Sequence, residues 1–293
     1  MTMASRWRPW AVLLLAAVVA AVAVWILAAG LPAWRLQDMS AYRLGADRLA
    51  TGQPLYPPPA DLLDTSDVYR YAPWFALLWL PLQGIPEPAV AVGWSAILIA
   101  ASVLAVVPLL RTPTPTATPM RVALAALGFA LALRGAAIGN VDPLMVAMLV
   151  HGVDRRAGPL AIAAAASLKV APLALVLVYA GRREWTKVAW TLLLTVALVA
   201  PMLLYDLSDY PTAAGASISV LSLAGLPAWL AVVAAGAVVT FLLARTRWAW
   251  TAAAATVLLS YPRMGIYNLP ILLVGVNDRR SNARSTITAA GAK

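Results

Sequence analysis

From Trp10 to Leu31 the chain carries no charged side chain. At a rise of about 1.5 Å per residue, a helix of that length reaches across the roughly 30 Å hydrocarbon core of a bilayer. Apolar segments recur as far as Val276, and in lipid they have to be helical, because no water is present to satisfy exposed peptide groups. Of the 293 residues 62% are hydrophobic and 12% charged, with mean hydropathy +0.80. That balance excludes a soluble domain on an anchor and predicts an all-α polytopic membrane protein. With no Cys and one His, His151, neither a disulfide framework nor a thiolate or imidazole metal site is expected.

The net charge of +10 does not indicate nucleic acid, because the basic residues are spread in pairs between apolar segments and form no continuous patch. They read as topology signals. Fifteen of the 22 Lys and Arg fall in Arg6/Arg8, Arg111/Arg121, Arg155/Arg156, Arg182/Arg183/Lys187, Arg245/Arg247 and the tail from Arg279 to Lys293. Placing all of them in the cytoplasm fixes the direction of every segment between them. The N-terminus starts inside, and Trp10 to Leu31 is a retained signal-anchor.

Residues 32–87 then form a large first extracytoplasmic loop, of which Pro32 to Tyr71 holds five Asp and four Arg. Pro73 to Pro86 is short and broken by proline, so it is expected to lie in the interface. Spans follow over Pro88 to Leu110, Val122 to Ile138 and Val141 to Val153, with RTPTPTATPMR from Arg111 to Arg121 as a Pro/Thr linker. Between Arg156 and Arg182 the charge rule asks for an even number of crossings, which two half-crossings meeting near Lys169, Val170 and Pro172 would supply; one ordinary helix is the alternative. Lys187 to Leu204 exits, Ile218 to Leu226 lies on the surface, Pro227 to Ala244 returns, Trp248 to Ser260 rises and Tyr267 to Val276 comes back. The expectation is one membrane domain over residues 1–276 with about ten full or partial spans, followed by a basic, aperiodic and disordered cytoplasmic tail over 277–293.

This topology gathers Asp38, Tyr42, Arg43, Arg70, Asn140, Asp142, Lys169 and Arg263 on the outer side. Ionisable groups in or at a membrane are costly, so each is a functional candidate. Each also has a plainer reading. Asp38 and Asp142 stand at helix starts, where capping or first-turn charge explains an aspartate. Lys169 can snorkel, and Arg263 can be an end-of-helix charge. His151 beside Gly152 reads as structural, and most of the Trp residues as an interfacial belt, with Trp34 and Trp74 flanking the proposed site.

The order Asp38, Tyr42, Arg43, Gly45, Ala46, Leu49, Gly52, Leu55, Tyr56, then YRYAPWFALLWLPL, resembles the first outer loop of glycosyltransferase family 87, the polyprenol-phosphate-mannose-dependent mannosyltransferases of the GT-C membrane fold. GNVDPLMVAML resembles the family's Gly-Gln-x-Asn segment, SLKVAPLALVLVYAGRREW its Lys-x-x-Pro helix, and LLSYPRMGIYNLPILL its late Ser-Pro motif, with Tyr267 and Asn268 near the place of the usual His. The resemblance implies a GT-C-like bundle in a bacterial plasma membrane and transfer of a hexose, mannose by the family's pattern, from a polyprenyl-phosphate donor to a lipid or glycan acceptor. It implies Asp38 as catalytic base, Lys169, Arg263, Arg43 and Arg70 as donor-phosphate cations, and Tyr42, Asn140, Asp142, Tyr267 and Asn268 as substrate contacts, without metal or cofactor. An apolar groove between spans, walled by the interfacial helix, would hold the donor's tail. The competing readings are a transporter or flippase of a lipid-linked or anionic substrate and a catalytically inactive membrane scaffold.

Overall fold

The computed structural model describes residues 3–30, 34–56, 68–111, 118–208, 210 and 217–276. The basic tail, most of the Pro/Thr linker and the Arg6 and Arg8 side chains therefore lie outside the described residues. All regular structure among those described is helical: α1 (Met3–Gly30), α2 (Gln37–Thr51), α3 (Pro73–Trp79), α4 (Glu87–Leu110), α5 (Thr118–Ala137), α6 (Asp142–Gly152), α7 (Gly158–Leu168), α8 (Val176–Gly181), α9 (Trp185–Val199), α10 (Val220–Leu243) and α11 (Ala249–Ser260). Short 3₁₀ turns over Leu80–Leu82, Ala171–Leu175 and Ala200–Leu204 join these, and a longer 3₁₀ segment, Ile266–Val276, closes the described chain.

Five stretches are long and apolar enough to cross a membrane: Trp10–Ala29, Glu87–Leu110, Thr118–Ala137, Trp185–Leu204 and Val220–Leu243. The chain is thus a helical integral membrane protein. Its long helices α9 and α10 lie at the periphery and turn Leu193, Val196, Leu230 and Leu242 outward, an apolar surface that suits lipid. The short helices are the core. On α6, α7 and α11, Leu149, Ile162, Ala253 and Val257 are fully buried, as expected of helices that are apolar all round.

An 11-residue helix such as α6 or α7 spans only about 16 Å, half the hydrocarbon thickness. Short helices enclosed by long ones bring polar helix ends into the interior. Between Leu168 and Ala171 the backbone leaves the helix, with Lys169 extended, and the chain turns back. Tyr179 Oη on α8 donates to the carbonyl of Val153 at 2.5 Å, and a Cβ placed on Gly158 at the start of α7 would strike that same hydroxyl. The entry of α7 and the exit of α8 are therefore neighbours, which makes residues 158–181 a hairpin with Lys169 near its tip.

At the far end from Lys169 the bundle is tied by guanidinium groups. Arg182 Nε donates to the Ala244 carbonyl and Arg245 Nε to the Gly181 carbonyl, so the C-terminal ends of α8 and α10 satisfy each other's unpaired carbonyls. Asp154 accepts from Trp250 Nε1 at 2.8 Å and pairs with Arg182 at 3.5 Å. His151 Nε2 faces the Leu104 carbonyl at 2.9 Å, a structural contact between α6 and α4.

One boundary differs from expectation. Helix α5 starts at Thr118, not Val122, because Pro119 in the first turn preorganises the helix, and Arg121 consequently belongs to α5 and not to the linker. The apolar segment from Ile218 and the span from Pro227 do meet at a break: within Val220–Leu243 the backbone is non-helical at Gly225 (φ 80°, ψ 173°), a conformation only glycine adopts without strain.

Candidate active site

The site begins where α5 ends. The turn Ile138–Gly139–Asn140 is gripped from two sides. Arg35 and Leu36 donate their backbone N–H groups to the Ala137 carbonyl at 3.0 Å, and Asp38 donates its own to Ile138 at 2.8 Å. The open N-terminus of α2 and the open C-terminus of α5 thereby satisfy one another. From α4, Trp94 Nε1 donates to the Gly139 carbonyl at 2.9 Å. Leu36, the residue before α2, takes a left-handed conformation (φ 48°) to make this entry, a strained geometry held by its burial.

Gly139 has φ +82°, and a Cβ there would meet Met39 N at 3.1 Å and the Leu36 backbone at 3.2 Å. Gly139→Ala is expected to cost at least about 1–2 kcal/mol from the left-handed backbone alone. Because the obstructing atoms are backbone, it should also push α2 off the turn. A lowered melting temperature in detergent together with lost activity checks this; wild-type behaviour in both would show that the contact is slack.

Asn140 follows at once, and its side chain joins three partners. Its Nδ2 donates to Asp38 Oδ2 at 2.6 Å, while its Oδ1 accepts from the Asp142 backbone N–H at 3.0 Å and from Lys169 Nζ at 3.2 Å. Lys169 in turn pairs with Asp142 Oδ1 at 2.5 Å, with the lysine side chain 20% exposed and the aspartate 3%. The other oxygen of Asp142 accepts a short hydrogen bond from Asn268 Nδ2, whose Oδ1 accepts from Gly265 N–H. Four helix ends thus converge: the starts of α6 and of Ile266–Val276, the end of α7, and the end of α11 at Tyr261. Helix α2 lies above them and presents Asp38.

The two aspartates do different things. Asp142 begins α6 but its carboxylate turns to Lys169 and Asn268, so it is the buried counter-ion of the lysine. Asp38 is half-buried and engages Asn140; Leu36 is the N-cap of α2, and Asp38 stands in the first turn, where its charge also suits the helix dipole. Burial pushes the Asp38 carboxyl above the ordinary aspartate value; the Lys169 charge and the Asn140 hydrogen bond oppose this, Asp142 adds to it, and Arg263 opposes it more weakly.

Aromatic rings enclose the cluster. Tyr42, fully buried, packs edge-on against Tyr71 and Phe75 and donates its hydroxyl to Tyr71 Oη at 3.3 Å. Lys169 Nζ stands 5.6 Å from the Tyr267 ring centre and 5.9 Å from that of Tyr261, within range of cation–π attraction. Tyr267 also feels the charges of Asp38, Asp142 and Arg263. Tyr71 and Tyr261 lie within YRYAPWFALLWLPL and LLSYPRMGIYNLPILL but were not singled out as site residues, because several tyrosines share those stretches: Tyr71 closes the first polar loop, and Tyr261 begins the turn that carries Arg263.

Asp38, Tyr42, Asn140, Asp142, Lys169, Arg263, Tyr267 and Asn268 are therefore brought together, from positions up to 230 residues apart in the chain. Arg43 and Arg70 tie the loop around the site through their backbone carbonyls, which accept from Gln83 Nε2 and Tyr210 Oη, and the charge of Arg70 acts on Tyr210; the cations acting on Asp38 are Lys169 and Arg263. Trp34 donates to Ser95, and Trp74 packs on Phe75. Among the described residues no three His, Asp or Glu side chains gather as metal ligands. A base beside a fixed ammonium, enclosed by tyrosines, suits proton removal from a hydroxyl next to an anion. No protein-family model, no curated protein and no solved structure matches this chain.

Proposed function

We propose that this chain is a membrane-embedded inverting glycosyltransferase, moving a hexose, mannose on the family's pattern, from a polyprenyl-phosphate donor to a lipid or glycan acceptor at the extracytoplasmic face. The observation that carries the reading is the Asn140 side chain, which holds the Asp38 carboxylate with its nitrogen and the Lys169 ammonium with its oxygen. In this reading the bundle has about ten full or partial spans, with the guanidinium-tied end in the cytoplasm.

Asp38 accepts the proton of the acceptor hydroxyl as that oxygen bonds to the anomeric carbon. The bond from that carbon to the phosphate oxygen breaks on the opposite face, which inverts the configuration, and both electrons leave with the polyprenyl phosphate. Its negative charge is already a stable leaving group and needs cations more than an acid; Lys169 and Arg263 supply them. Asn140 and Asp142, engaged with protein partners, position the base and the lysine, and Tyr42, Tyr71, Tyr261 and Tyr267 wall the sugar's place.

A carrier reading draws on the same broken hairpin at Lys169 and its buried aspartate partner. Full-length protein in proteoliposomes, given polyprenyl-phosphate mannose labelled in the sugar and a membrane lipid extract as acceptor, separates the two. Labelled glycolipid with equimolar polyprenyl phosphate is expected. Donor that crosses the bilayer with its sugar still attached would overturn the transferase in favour of a carrier, and neither outcome would leave a scaffold.

A further inference from the structure

A cavity of about 770 Å³, within the range of small-molecule sites, opens between α5, the start of α11 and Ile266–Val276, and it does not reach Asp38. Its walls are apolar: Leu124, Leu127 and Leu131 on α5 face Leu272, Leu273 and Val276. Polarity is confined to one end. There Arg247 stacks over the exposed Trp248, with its guanidinium carbon 5.3 Å from the ring centre, and both line the opening. Arg121 lies one turn before Leu124 on the same face of α5, and Arg111 directly follows α4, whose Leu109 also lines the cavity. Among the described residues no acidic side chain lines it.

We infer that this groove is a binding site for an anionic phospholipid of the leaflet at the basic end, with its phosphate on Arg247 and an acyl chain between α5 and Ile266–Val276. Basic pockets between helices at a membrane surface suit anionic headgroups, and an arginine beside tryptophan stands at the depth where headgroup meets hydrocarbon. The depth agrees. From Leu269 to Val276 the 3₁₀ segment rises about 14 Å, close to the thickness of one leaflet. A chain entering at Arg247 therefore ends at Leu269, next to the Asn268 that holds Asp142, and stops short of Asp38. The inference does not depend on the transferase reading, since the phosphate would sit at the end of the bundle opposite Asp38.

The test is native mass spectrometry of the full chain in detergent, titrated in parallel with phosphatidylglycerol and phosphatidylcholine. One phosphatidylglycerol should be retained in preference to phosphatidylcholine. Arg247→Gln, a change at an exposed side chain stacked on the exposed Trp248 ring, should weaken that preference by about fivefold, the worth of one cation near a headgroup. Leu124→Trp, which fills the groove, should reduce retention of both lipids. Equal retention of the two lipids, an Arg247→Gln protein indistinguishable from wild type, or no retained lipid would each overturn the assignment. Stoichiometric displacement of phosphatidylglycerol by polyprenyl phosphate would also overturn it, by giving the groove to the donor.

Discussion

If the chain is the transferase proposed, replacing Asp38 with Asn should lower sugar transfer by about 10²–10⁴-fold, the usual worth of a positioned base, and leave donor binding unchanged. The separation follows from the geometry. Asparagine keeps the shape of aspartate and still offers an oxygen to Asn140 Nδ2, so the turn between α5 and α6 and the Lys169 ammonium stay where they are. Only the capacity to take a proton is lost. In wild type the same group should set the acid limb of the pH profile. Burial raises the Asp38 carboxyl above the ordinary aspartate value, and the base works only when ionised, so transfer should decline as pH falls through a point above that ordinary value. Asn140→Ala removes a hydrogen bond that favours the ionised form, and the limb should move to higher pH. Isothermal binding of polyprenyl phosphate alongside transfer rates from pH 4 to 8 measures both. Full turnover in the Asn variant, or an acid limb that ignores Asn140, removes Asp38 from the chemistry.

Much of this arrangement was legible in the sequence because charge is scarce in it. With so few basic clusters, requiring them on one side demanded an even number of crossings between Arg156 and Arg182, and the α7–α8 hairpin with Lys169 at its turn has that form. Asp38, Asn140, Asp142 and Asn268 could be nominated because polar residues in apolar surroundings need a reason. What could not be read was direction. Arg43 follows Tyr42 by one residue, yet on a helix that step turns about 100°, so the two side chains leave α2 in different directions. Nor could hydropathy tell inner helices from outer ones. In lipid both are apolar all round, so α7 and α10 look alike by composition, although the first is core and the second periphery. The partner of Asn140 is 102 residues away in Asp38, and no local rule encodes such a contact.

Lys169→Met should do two kinds of damage that a second substitution can separate. Asp142 is 3% exposed, and its charge is matched by the Lys169 ammonium at 2.5 Å. Deleting the lysine leaves a buried carboxylate with an amide from Asn268 and no counter-charge, at a cost of about 3–5 kcal/mol. Adding Asp142→Asn removes the stranded charge while keeping an oxygen for Asn268 to donate to, so the double variant should recover most of the melting temperature in detergent. Transfer should not recover. If Lys169 also stabilises the departing phosphate, its loss should lower turnover by about 10²–10³-fold whatever stands at position 142. A double variant that regains both stability and turnover would mean that the pair only holds the four helix ends together, and the departing phosphate would then have to rely on Arg263. Donor affinity discriminates further, because a lysine that meets the phosphate has to release Asp142 to do so. Asp142→Asn alone, which frees the ammonium from its competitor, should therefore bind polyprenyl phosphate more tightly than wild type.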